Sequence, residues 1–148
     1  MNDPVYCQLL ADLESDQMQI SVISMGIKSG GKSTKALSFI RLCIQRGFFD
    51  HYYMVLPSYQ TDIGGAYKWL SQFSDLVTVF STYEPLFVEW LLNRDLQEIA
   101  KLKRGYLLLF DHLGATGFKA TDESMFKLVG IQRHLKVSTY LHFHSLSS

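Results

Sequence analysis

Residues 26–33 read Gly26-Ile27-Lys28-Ser29-Gly30-Gly31-Lys32-Ser33, which satisfies G-x-x-x-x-G-K-[ST] at every position. That spacing is suited to holding phosphate. Glycines let the loop curl, so that successive backbone N–H groups point inward at phosphate oxygens. A helix starting where the loop ends turns the positive end of its dipole toward the same anion. Lys32 then reaches the β- and γ-phosphates as a point charge, and the Ser33 hydroxyl ligates Mg²⁺. On this reading Gly26, Lys28, Ser29, Gly30, Gly31, Lys32, Ser33 and Thr34 are the candidate nucleotide-binding residues, with ATP and Mg²⁺ as cofactors. Loops rich in Gly, Ser and Lys also occur without a ligand, so the flanks decide. Ile20, Val22 and Ile23 form a β-branched run before Gly26, and a helical pattern starts after Lys32. This is the strand–loop–helix setting that a P-loop needs.

A second candidate lies downstream. Tyr106-Leu107-Leu108-Leu109-Phe110 is the continuous apolar run expected of a central parallel strand, and it ends at Asp111. Open α/β sheets place their chemistry beyond the carboxyl ends of their strands. Asp111 therefore reads as a Walker B aspartate that holds Mg²⁺ through a water. A short apolar strand ending in Asp is a weak signal alone and gains specificity downstream of a complete P-loop.

These residues must be positioned by one domain spanning 1–148, long enough for a proper core. Hydrophobic content of 47% and charged content of 19% fit buried strands. A formal net charge of +0 excludes a global electrostatic pull on nucleic acid, so any such contact needs local basic loops or a ring of subunits. Cys7 and Cys43 give neither a disulfide framework nor a metal spacing, and Cys43 falls on the inner face of a predicted helix. The acidic start MNDPVYCQLL shows no signal-peptide pattern, and no apolar run is long enough for a membrane span, so an intracellular setting is expected.

Taken in order, the chain alternates between periods. A helix is expected over 4–14 with Leu9, Leu10 and Leu13 inward, and a strand over Met18 to Ser24. A helix from Lys32 to Arg46 carries Ala36, Leu37, Ile40, Cys43 and Ile44 on one face and stops at Gly47. A strand follows over Tyr52 to Leu56, a short helix within Tyr59 to Phe73, and a strand over Leu76 to Phe80. One long helix is expected over Pro85 to Lys101, capped by Glu84 or Thr82. Its basic end, Lys101, Lys103 and Arg104, suits either a helix dipole or nucleic-acid contact. After the Asp111 strand, a helix from Thr121 to Leu135 should turn Met125, Leu128, Val129 and Leu135 inward, before a last strand over Val137 to Phe143. The alternation predicts an α/β fold: a mostly parallel, doubly wound sheet with helices on both faces. The long connection between the Gly26 and Asp111 strands predicts a further strand between them in the sheet, as in P-loop NTPases of the additional-strand, catalytic-acid type.

The sequence resembles the viral genome-packaging ATPases of the FtsK–HerA superfamily, including the poxvirus-type enzymes and the motors of small tailed phages. Four stretches carry the resemblance across about residues 18–146: GIKSGGKS, VLPSYQTD (Val55 to Asp62), YLLLFDH, and Gln132-Arg133-His134-Leu135-Lys136-Val137-Ser138. The last is similar to the family's Arg-His motif. The resemblance implies that Lys32 and Ser33 bind phosphate and Mg²⁺, that Asp111 supports the metal, and that Lys28 responds to the γ-phosphate. Arg133 matches the motif's arginine and is the candidate arginine finger across a ring interface, the alternative being a solvated residue near a helix end.

Two positions depart from the pattern. The family's acid after the Walker B Asp is His112 here, and a neutral imidazole is a poorer water-orienting group than a carboxylate; Glu84 is the candidate substitute. His144 stands where the family's polar sensor is usually Gln, with His142 nearby expected to pack. Such motors also usually continue beyond this point, so a minimal version or a fragment is expected. The function implied is a homo-oligomeric ring ATPase driving viral double-stranded DNA into a preformed capsid, working with portal or vertex proteins and no membrane, in the host cytoplasm or on the virion. Lys119 and the segment Ser81 to Tyr83 are its candidate DNA contacts. Competing readings are another superfamily translocase, a small-molecule kinase, for which the region after Asp111 has few arginines, and a nucleotide-binding regulatory or structural subunit, which His112 favours.

Overall fold

Short apolar, β-branched and aromatic runs form the strands, and longer segments of helical period form the helices. The computed structural model describes residues 4–15, 19–26, 32–57, 65, 67–111 and 123–144. Among them are the strands β1 (Ser21–Gly26), β2 (His51–Val55), β3 (Val77–Phe80), β4 (Tyr106–Phe110) and β5 (Val137–His144). The helices are α1 (Pro4–Glu14), α2 (Lys32–Arg46), α3 (Pro85–Leu92), α4 (Leu96–Lys101) and α5 (Glu123–Leu135), with a 3₁₀ helix over Lys68–Phe73. The strands form one sheet in the order β1-β5-β4-β2-β3, and every pairing is parallel. β5 thus stands between β1 and β4, as the connection lengths predict.

Side-chain alternation divides the core into two layers. On the first face Tyr52, Met54, Val77, Leu107, Leu109 and Tyr140 pack with Tyr6 and Leu13 of α1, Phe39, Ile40 and Cys43 of α2, and Leu70. On the second, Val55, Leu108, Phe110 and Val137 pack with Val88 and Leu91 of α3, Ile99 of α4, and Leu128 and Leu135 of α5. The connections β1→β2 and β2→β3 cross the sheet one way over the first face. Those from β3 to β4 and β4 to β5 return over the second, so all crossovers share one hand.

Several elements differ from the sequence expectation. The long helix over 85–101 is two. α3 stops at Asn93, and Asp95 caps α4 by accepting from the Gln97 N–H at 3.0 Å. Between them Arg94 is buried: its Nη2 donates to the Leu135 carbonyl at 2.6 Å and its guanidinium lies 4.8 Å from the Tyr106 ring centroid. That tertiary anchor, with a ready cap next to it, ends the helix where periodicity alone would continue it. Glu84 occupies the N-cap position of α3 but makes no capping hydrogen bond. Val129 is exposed, while Tyr6 and Phe39, absent from the predicted inner faces, are buried. Within 59–73 the helical stretch among the described residues is the 3₁₀ helix over Lys68–Phe73. Thr121 lies outside the described residues.

Two glycines are fixed by geometry. Gly47 takes φ +67° as its N–H donates to Ile44 and that of Phe48 to Cys43, closing α2. Gly105, at φ +93°, leads into β4 so close to Lys136 that a Cβ would sit 2.2 Å from its carbonyl oxygen. The basic stretch there is partly structural: the Arg104 guanidinium donates to the Leu13 carbonyl and lies 5.3 Å from the Phe48 ring, whereas Lys101 and Lys103 are exposed.

Candidate functional site

β1 ends at Gly26 and α2 begins at Lys32, so the motif lies between the end of a parallel strand and the start of a first-face helix. β1 runs further than expected because its ladder with β5 continues to the motif's first glycine: Ser24 pairs with His142, Met25 with Phe143 and Gly26 with His144. Residues 27–31, with Lys28, Ser29, Gly30 and Gly31, lie outside the described residues. For Lys32, Ser33 and Thr34 the backbone is described as the opening turn of α2, and for His144 as the end of β5; their side chains are not.

Asp111 follows the last residue of β4 and is 7% exposed. Its N–H donates to the Val55 carbonyl at 3.0 Å, extending the β2–β4 ladder by one bond. Its Oδ2 accepts from the Tyr67 hydroxyl at 3.2 Å. Tyr67 belongs to the first-face core, so the carboxylate turns toward the side on which α2 lies. On the neighbouring strand, Leu141 pairs with Phe110, which puts the fully buried His142 level with Asp111 and Ser24. The carboxyl ends of β1, β5 and β4 thus bring Gly26 and His144 level with each other, two residues beyond the level of His142 and Asp111. With strands spaced about 4.8 Å apart, β1 and β4 lie roughly 10 Å from each other.

The edge is also a topological switch. The chain leaves β4 toward α5 on the second face, whereas it leaves the adjacent β2 toward the first. Such a divergence opens a crevice at the strand ends. Asp111 lies beside this switch point, and Tyr67, from the β2–β3 connection, donates to it.

Other candidates lie elsewhere. Glu84 is exposed and opens α3 on the second face, where its carboxylate accepts from Thr82 Oγ1 at 3.3 Å. Tyr83 is buried and packs on the Phe110 ring at 5.8 Å, so it is a core residue and unsuited to contacting DNA. His112 and Lys119 fall outside the described residues. Arg133 is exposed in the last turn of α5, which delivers the chain to the amino end of β5. From Val137, where β5 begins, the strand runs about 17 Å at strand rise to His142, level with Asp111, and about 23 Å to His144 at its carboxyl end. Arg133 therefore serves no site on its own chain's carboxyl edge. Its neighbour Gln132 is structural: Nε2 donates to the Ile20 carbonyl at 3.1 Å, and Oε1 accepts from Thr139 Oγ1 at 3.2 Å.

Sequence reasoning missed the pairing of Tyr67 with Asp111. The two stand 44 residues apart, and Tyr67 reads simply as part of an apolar helical pattern. No group of three or more His, Cys, Asp or Glu suited to a metal occurs among the described residues, and none of their helices is long and apolar enough to cross a membrane. No family model and no curated protein sequence matches the chain.

Proposed function

We propose that this chain is a P-loop ATPase subunit of a ring-forming motor that moves viral double-stranded DNA. The observation that carries the reading is the complete G-x-x-x-x-G-K-S motif between a parallel strand and a first-face helix, with a buried Asp111 two strands away on the same edge. Mg²⁺ keeps several waters and needs only one or two protein oxygens besides the phosphates. Asp111 and the Ser33 hydroxyl fit that demand without a dedicated cluster of acids. Bound Mg²⁺ would neutralise charge on the β- and γ-phosphates. The chain's part is to cradle the phosphates with the backbone of 26–33, to hold them with Lys32, and to fix the orientation of Asp111. Arg133, remote from its own carboxyl edge, suits a neighbour's site.

The test is ATP turnover at high protein concentration, with and without long double-stranded DNA, beside Lys32→Ala. DNA-stimulated turnover abolished in the variant is the expected result. A second reading, a nucleotide-binding regulatory or structural subunit, draws on His112 in place of an acid after Asp111. Tight Mg·ATP binding without turnover in the assembled protein selects it.

A further inference from the structure

Resting on the nucleotide-site reading, the geometry points to Tyr67 as the positioning residue of the Asp111 carboxylate. A carboxylate can only accept, so the Tyr67 hydroxyl donates to Oδ2 and fixes the rotation of the group about its Cβ–Cγ bond. The donor is itself held. Tyr67 is 9% exposed and immediately precedes the 3₁₀ helix, whose Leu70 is buried in the same core as Phe39 and Ile40 of α2. The next residue but one, Trp69, lies under the Arg41 guanidinium of α2 at 5.5 Å. The helix that continues the phosphate motif therefore also sets, through the 3₁₀ helix, where the Tyr67 hydroxyl stands. One rigid unit registers the start of α2 against the carboxylate, so a metal bound between them meets its protein oxygen in a fixed direction.

Tyr67→Phe removes the hydroxyl and keeps the ring, so the core is spared. The experiment titrates a fluorescent ATP analogue into the wild-type chain, Tyr67→Phe, Asp111→Asn and Lys32→Ala, each with Mn²⁺ and each with EDTA. Thermal unfolding is recorded alongside. Tyr67→Phe is expected to raise the Mn²⁺ midpoint about 3- to 10-fold while leaving the EDTA affinity unchanged, a split that a general loss of stability does not produce. A Mn²⁺ midpoint equal to wild type, with Asp111→Asn impaired, overturns the role of Tyr67 and leaves the nucleotide site standing. Binding that is absent in the wild type, or indifferent to Lys32→Ala and Asp111→Asn, overturns both. If Tyr67→Phe weakens binding equally in Mn²⁺ and EDTA, Tyr67 supports the fold and the positioning role is overturned.

Discussion

Cys43 and Cys7 have the same side chain and opposite prospects. Cys43 is fully buried on the inner face of α2, and burial pushes its thiol up to about 12, whereas Cys7 is exposed. A disulfide reagent at pH 8 should label Cys7 rapidly and Cys43 only on unfolding; two equally fast thiols would contradict the packing of α2. The same shift has a sign. Above the ordinary thiol value the unfolded chain releases a proton that the folded chain keeps, so the contribution is complete below about pH 9 and is lost as pH rises toward 12. Cys43→Ala should flatten that alkaline fall in stability, measured by denaturant midpoints between pH 8 and 11.

At the scale of elements, what could be read in advance depended on whether the signal was local. α2 runs from Lys32 to Arg46 because its apolar face repeats at helical spacing and Gly47 supplies the left-handed turn that ends it. β4 was legible as an unbroken apolar run, since a parallel strand in the middle of a sheet is covered on both faces. The break between α3 and α4 was not, because its cause lies in another element: Arg94 is drawn to the carbonyl that ends α5. Of the candidate site, the motif and Asp111 were legible from type and spacing, while the Tyr67 contact depended on a connection folding back over the sheet. Asp95 carries its own prediction. Asp95→Ala removes the cap from α4 and should cost about 1 kcal/mol in chemical denaturation. Asp95→Asn, which can still accept from the Gln97 N–H, should recover most of it.

For the whole molecule, Arg133 is separated from its own chain's carboxyl edge, so the proposed arginine-finger role requires a second chain. Lys32→Ala and Arg133→Ala should each lose turnover alone. Mixed together, they should regain part of it, because an intact Lys32 in one subunit can meet an intact Arg133 in the next. Mixtures that stay as inactive as either parent would place Arg133 outside the reaction.

The strand leading into the glycine-rich motif at 26–33 is also an edge of the described sheet. β4 is laced to a neighbour on each side, whereas β1 is laced to β5 alone, and its Ile23 is 68% exposed. Peeling β1 away breaks one ladder where freeing β4 breaks two. Deuterium should therefore enter β1 long before β4, and its uptake should divide by parity, with amides turned toward β5 slow and their outward neighbours fast. A force applied through residues 27–31 would meet a strand held by a single ladder and leave the sheet's centre intact.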